Sequence, residues 1–169
     1  MNICLIGDSL TSLALAKNLI NKHINVFVYY KNSKNSSFQS RTIGISKNNF
    51  DFFDKEIIKF KKGMFWKIKK IEIYSEKLKD EKILNFENNK GELFLIAKNN
   101  EIYELLAKDL KKNKLFKKIL IKNNNFYKKI LKEQKYELII NCDGNNKISR
   151  NLFYNKLIRV IIAMLIQLL

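Results

Sequence analysis

The first 30 residues constrain the fold of this chain more than anything that follows them. Asn2-Ile3-Cys4-Leu5-Ile6 is a short apolar run that stops at Gly7, the pattern of a parallel strand buried on both faces. From Thr11 to Lys22 the apolar residues Leu13, Leu15, Ala16, Leu19 and Ile20 return at helical spacing, and Ser9 or Thr11 supplies a cap for the start. Asn25-Val26-Phe27-Val28-Tyr29-Tyr30 is β-branched and aromatic, which predicts a second strand. Strand, tight turn, helix and strand in so short a span make a βαβ unit with parallel strands and a right-handed crossover. The fold class that follows is α/β.

Beyond this unit, Lys31 to Ser40 is polar and rich in serine and asparagine, a loop. After Arg41-Thr42-Ile43-Gly44-Ile45, a helix is predicted over Asn48 to Lys61 with Phe50, Phe53, Ile57 and Phe60 on one side. Alternation between Met64 and Phe86, with Ile71 and Ile73 separated by Glu72, predicts the antiparallel strands of a small β annex. Trp66 reads as a core or annex aromatic. A further helix is predicted from Asn100 to Lys112, with Ile102, Leu105, Leu106 and Leu110 as its buried stripe. The lysines from Lys111 to Lys118 read as its solvated end, or as a contact with an anionic membrane surface. Tyr136 to Cys142 is a strand that ends at Asp143-Gly144. The tail Leu157 to Leu169 is apolar except for Arg159 and Gln167, shorter than the roughly 20 residues a spanning helix needs. A buried helix, a membrane-surface contact and an aberrant end all remain open for it.

A chain of 169 residues predicts one domain. With 46% apolar residues it has the material for a core, which excludes wholesale disorder. With no proline and five glycines, it is neither collagen-like nor a proline-rich linker. The net charge of +17 rests on 30 lysines and only three arginines, in a chain crowded with asparagine and isoleucine. Those are the residues of A/T-rich codons. The charge is therefore in part an imprint of nucleotide composition, and without interleaved surface aromatics it argues against a nucleic-acid partner. Cys4 and Cys142 lie in apolar runs and read as reduced core residues; with His23 alone they cannot build a zinc site. No basic segment leading into a long apolar stretch opens the chain, so a cytoplasmic protein is expected.

The turn Gly7-Asp8-Ser9-Leu10-Thr11-Ser12 stands where a dinucleotide-binding fold carries G-x-G-x-x-G. Small residues are needed there because the backbone must approach a pyrophosphate, whose charge is met by unpaired N–H groups at the helix start. Here the pattern is G-x-S-x-x-S: Gly7 keeps the tight turn, and Ser9 and Ser12 are the next smallest polar choices. A plain βα turn explains the segment equally well. The acidic residue expected at the end of the second strand, which would accept ribose hydroxyls, is replaced by Tyr30 with Lys31 after it. A tyrosine hydroxyl can pair with a ribose, but an aromatic closing a strand is the simpler reading. His23 reads as a solvated turn residue. No nucleophile has a histidine base in a recognisable motif, and no phosphate-loop lysine motif occurs.

Two later segments sharpen this reading. Arg41-Thr42-Ile43-Gly44-Ile45-Ser46, followed by a helix, and Leu138-Ile139-Ile140-Asn141-Cys142-Asp143-Gly144, followed by Arg150, lie in order after the βαβ unit. In this, residues 1 to about 156 resemble the flavin-dependent aromatic hydroxylases of the p-hydroxybenzoate hydroxylase type. The likeness is nearest to the ubiquinone-biosynthesis hydroxylases, including the 2-octaprenyl-6-methoxyphenol hydroxylase branch, in which an R-x-x-x-[LI]-S segment follows the first βαβ unit. The resemblance implies a Rossmann-like FAD/NAD(P)-binding domain with a parallel sheet, an antiparallel annex of the substrate region over about 63–95, and a separate tail over 157–169. It implies FAD as cofactor, NAD(P)H as reductant, and an aromatic small molecule and oxygen as substrates, with a peripheral membrane contact for a polyprenylated phenol. It places Gly7, Ser9 and Ser12 at the FAD pyrophosphate, Tyr30 at the ribose position and Arg41 at the flavin. Asp143, Gly144 and Arg150 match a D-G-x-x-S-x-x-R segment that seats FAD and NAD(P)H, with Lys147 replacing its serine. Family members are longer, and their second glycine-aspartate segment has no counterpart here, so the likeness is to an N-terminal portion. An inactive fragment, or a basic protein that binds nucleic acid or anionic membrane, is the alternative.

Overall fold

The computed structural model describes residues 1–31, 41–76, 81–87, 91–122, 126, 130 and 135–144. Nearly all of the predicted loop, Lys147, Arg150 and the tail over 157–169 lie outside the described residues. In chain order the elements are β1 (Asn2–Ile6), α1 (Leu10–Asn21), β2 (Asn25–Tyr30), β3 (Thr42–Ser46), α2 (Lys47–Phe52), β4 (Phe65–Ile68), β5 (Lys70–Tyr74), β6 (Lys82–Glu87), β7 (Phe94–Lys98), α3 (Asn99–Lys111), β8 (Phe116–Leu120) and β9 (Leu138–Asn141).

The principal sheet is parallel, in the order β8-β2-β1-β9. Side chains alternate across it. Ile3, Leu5, Val26 and Val28 face α1 and α3, where Leu13, Ala16, Ile20, Ile102, Leu106 and Leu110 complete the core. Cys4, Ile6, Phe27, Tyr29, Ile119 and Ile139 face the other way and pack with Ile121, Phe126, Ile130 and Tyr136. Both faces are covered, which is why β1 and β2 read as continuous apolar runs rather than alternating ones. A salt bridge between Lys17 and Asp109, at 2.6 Å, ties α1 to α3.

The return from α1 to β2 is a Schellman turn. The His23 N–H reaches the Ile20 carbonyl at 2.9 Å, and the Ile24 N–H reaches Leu19 at 3.1 Å. His23 occupies the left-handed position with φ 60°, where a Cβ is strained and glycine is usual.

Two antiparallel sheets form the annex. β7 pairs with β3 on one side and β4 on the other, and its Leu95 and Ala97 are buried. β5 and β6 make a separate hairpin. Ile71 opposite Phe86 and Ile73 opposite Leu84 place four apolar side chains on one face of it, all exposed. On the other face, Glu72 is bonded by Lys82 and Lys70, which hold its carboxyl down to about 2. Trp66 belongs to this annex and is 54% exposed.

The structure corrects three sequence expectations. Of the lysines from Lys111 to Lys118, Lys111 and Lys112 are the exposed end of α3, but Lys117 and Lys118 belong to the edge strand β8, Phe116–Leu120, with Phe116 and Ile119 on opposite faces of the sheet. Lysines on an edge strand discourage further strands from adding, and here they masked the apolar alternation. The helix predicted over Asn48 to Lys61 is instead α2 followed by a π-helical turn, Phe53–Ile57. Asp54 then accepts from the Phe60 N–H at 2.9 Å and folds the chain back, so that Phe60 stacks on Phe50 with centroids 5.3 Å apart. The antiparallel part also recruits Thr42–Ser46 and runs on to Lys98. No described helix is long and apolar enough to cross a membrane.

Replacing His23 by glycine removes the left-handed strain but loosens the unfolded chain, so the net effect is a stabilisation of about 0.5–1 kcal/mol. Urea denaturation of His23→Gly beside the parent measures it; a loss of stability contradicts the turn described here.

Candidate functional site

The chain leaves β1 through α1 towards β2, and β9 adds later on the opposite edge of β1. The carboxyl ends of β1 and β9 therefore flank a topological switch point, where open α/β sheets form a ligand crevice. Gly7 lies at that point with φ 101° and donates its N–H to the Tyr29 carbonyl at 2.7 Å. A Cβ on Gly7 would meet the Asp143 Cβ at 3.0 Å and the Asp143 nitrogen at 3.2 Å. Backbone conformation and space both require glycine here. The Cys142 N–H extends the β1–β9 pairing to the Ile6 carbonyl at 2.8 Å. The Asp143 N–H bonds the Asn141 side chain at 3.2 Å, turning the chain into the exposed Gly144.

Ser9 is the N-cap of α1. Its Oγ accepts from the Ser12 N–H at 3.3 Å, and its hydroxyl also lies 3.5 Å from the Cys142 carbonyl. The Leu13 N–H is taken by the Ser9 carbonyl at 3.0 Å. The N–H groups of Leu10 and Thr11 then meet no acceptor among the described residues, and Thr11 is exposed. Two unpaired amides at the positive end of a helix dipole form an anion-binding feature.

Ser12 does not share that feature. It is wholly buried, and its hydroxyl lies against the Cys142 thiol with no conventional hydrogen-bond partner. The small side chain at this position serves the packing of α1 against the end of β9, not the approach of a ligand. Burial pushes the Cys142 thiol up, and burial, with Cys142 nearby, pushes Cys4 up to about 12. Both cysteines are free thiols, and their burial favours the neutral form.

A polar cluster caps the β2 side of the turn. Lys118, from β8, reaches Asp8 at 3.0 Å and donates to the Tyr103 hydroxyl at 3.0 Å; that hydroxyl donates to Asp8 at 3.2 Å. The Lys118 ammonium also lies 4.4 Å from the Tyr30 ring centroid, a cation–π contact. Desolvation works to lower the Lys118 pKa, but its bonds to Tyr103 and Asp8 outweigh that and raise it, so the ammonium persists. Tyr30 thus ends β2 beneath a cation where the fold usually offers a carboxylate.

Of the residues singled out from the sequence, the structure gathers Gly7, Ser9 and Asp143 at the crevice, with Gly144 beside them and Tyr30 at the end of β2. Arg41 opens the antiparallel sheet instead. It is exposed, its carbonyl accepts from the Asn99 N–H at 2.9 Å, and its side chain makes no hydrogen bond or ion pair among the described residues. Arg150 lies outside them. Asp8, Tyr103 and Lys118 were not found from the sequence; the one available signal was a carboxylate inside a phosphate-type turn, which calls for a cation nearby. No cluster suited to a metal ion occurs among the described residues. A groove of about 790 Å³ between α1, α3 and the π-helical turn is lined by charged side chains such as Lys17, Asp54, Lys108 and Asp109, and includes none of the crevice residues.

No protein-family model and no curated protein matches the chain. Solved structures do. It is similar to the p-nitrophenol 4-monooxygenase PnpA of Pseudomonas putida DLL-E4, with TM-score 0.56 and 12% identity over 70% of this chain and 31% of that one. It is similar to the FAD-dependent monooxygenase PqsL of Pseudomonas aeruginosa, with TM-score 0.58 and 10% identity over 71% of this chain and 32% of that one. A geranylgeranyl bacteriochlorophyll reductase-like protein of Thermoplasma acidophilum gives TM-score 0.56 and 15% identity over 73% and 32%. The chain spans about a third of the length of the solved structures it matches. At these identities the likeness is one of fold, and the fold is a Rossmann-like α/β sheet with small antiparallel sheets.

Gly7→Ala is expected to destabilise the protein by about 1–3 kcal/mol through its positive φ and the contact with Asp143; chemical denaturation reads this, and an unchanged midpoint contradicts it. The raised Cys4 pKa has a second consequence. Its contribution to stability is full below the usual thiol value of 9.0 and is lost as pH rises towards about 12. Unfolding free energy should therefore fall with pH above 9.0, and less steeply in Cys4→Ala, as measured by denaturation at successive pH values.

Proposed function

We propose that this chain is the N-terminal portion of an FAD-dependent monooxygenase that hydroxylates an aromatic ring. The observation that carries this reading is the pair of unpaired amides at Leu10 and Thr11, beside a glycine that brings the β1 turn against the end of β9. These residues fit the diphosphate of FAD. Leu10 and Thr11 would donate to its oxygens, the α1 dipole would favour its charge, and Gly7 would hold the tight turn that leads into the α1 start. Ser9 would set the cap geometry that aims those amides, and Asp143 and Gly144 would border the crevice from β9. Tyr30 would stand at the adenosine side and Arg41 on the flavin side.

When bound, FAD supplies the redox and oxygen-transfer chemistry, with NAD(P)H as reductant. This portion of the protein holds and orients it. The fold likeness to PnpA, a p-nitrophenol 4-monooxygenase, supports an aromatic substrate. The motif resemblance supports the finer reading of a polyprenylated phenol in ubiquinone biosynthesis, and such a substrate brings a peripheral membrane contact with it.

Flavin fluorescence tests the proposal. FAD should be quenched on binding and displaced by ADP, while riboflavin, which has no phosphate, should not bind measurably. Thr11→Glu places a carboxylate at an exposed position in the first turn and should weaken FAD binding about tenfold or more through like-charge repulsion. Absence of quenching, or equal binding by Thr11→Glu, would falsify this assignment.

A further inference from the structure

We propose that Lys118 is a positioning residue that keeps the diphosphate site open, by drawing the Asp8 carboxylate over β2 and away from the start of α1. The proposal rests on the diphosphate reading above and deepens it. Asp8 directly precedes the N-cap Ser9, and a carboxylate so close to a helix start is itself a good acceptor for the first free amides. Left unpaired, it would compete with a bound diphosphate for the Leu10 and Thr11 N–H groups and repel its charge.

The structure turns Asp8 elsewhere. Lys118 and the Tyr103 hydroxyl both engage the same Asp8 oxygen, at 3.0 Å and 3.2 Å, and bond each other at 3.0 Å, which closes a three-membered ring of contacts. The sheet order sets the direction of the pull. Lys118 is on β8, separated from β1 by β2, whereas the crevice lies on the β9 side of β1. The anchor is rigid as well: Lys118 stands over the Tyr30 ring, and the elements that carry Tyr103 and Lys118 are fixed by the buried Ile102 and Leu106 and by Phe116 in the core. One cation thus neutralises the acidic residue of the turn and fixes where it points.

The experiment is a double-mutant cycle read by equilibrium binding of FAD and of ADP, with thermal unfolding to confirm that each variant is folded. Lys118→Met should weaken both ligands about tenfold or more, and Lys118→Arg should recover most of that loss. Asp8→Asn should bind FAD more tightly than the parent. Asp8→Asn combined with Lys118→Met should bind within about twofold of Asp8→Asn alone, because once the carboxylate is gone Lys118 has nothing to restrain. If the double variant is as weak as Lys118→Met, the lysine acts on the ligand directly or only through structure, and the proposal is overturned. Weaker binding by Asp8→Asn overturns it too, and does so even if Lys118→Met does not fold. A parent protein that binds neither FAD nor ADP defeats the diphosphate reading itself, and this proposal with it. Parent binding combined with a flat cycle defeats the role of Lys118 alone.

Discussion

β1 is hydrogen-bonded along both edges, to β2 and β9, and covered on both faces. β2 shares this double constraint, with β1 and β8 on its edges, but β1 lies between the two strands that border the turn. It sets the register of its neighbours, and it fixes the point at which the chain emerges into Gly7. The crevice is a consequence: once β9 is paired to β1 and β2 lies on the far edge, the turn after β1 has to open between the ends of two strands. The polar groups that matter there belong largely to the backbone. This is why serine in place of two of the fold's usual glycines leaves the arrangement recognisable, one serine capping α1 and the other filling the space beneath it.

Much of this was legible because burial on both faces leaves a strong imprint. The runs from Asn2 to Ile6 and from Asn25 to Tyr30, and the stripe Ile102, Leu106 and Leu110, read directly as the elements they form. Edge elements left weaker marks. In β8 the apolar residues Phe116, Ile119 and Leu120 are split by Lys117 and Lys118, and the lysines spoke for solvent. The π-helical turn after α2 depends on Asp54 bonding residues further along the chain, which periodicity does not encode.

The site was legible in part, for a related reason. Gly7 and Asp143 mark the ends of strands, and a strand end can be read locally. The Asp8–Lys118 pair joins residues 110 positions apart in sequence, and no local pattern reveals such a contact. Arg41 drew attention as the first residue of an R-x-x-x-[LI]-S segment, yet the fold places it at the opening of an antiparallel strand, bonded through its backbone. A short motif marks a residue without locating it.

The β5–β6 hairpin has a bearing on how the protein behaves in bulk. Ile71, Ile73, Leu84 and Phe86 form a greasy plate on one side, while the ions of Lys70, Glu72 and Lys82 brace the other. Attraction between such plates is driven by released water and strengthens on warming from the cold, whereas the bracing charges are weakened by salt. Clustering of these molecules through the hairpin should therefore be promoted by gentle heat and high ionic strength, and storage in cold, dilute buffer should keep them apart.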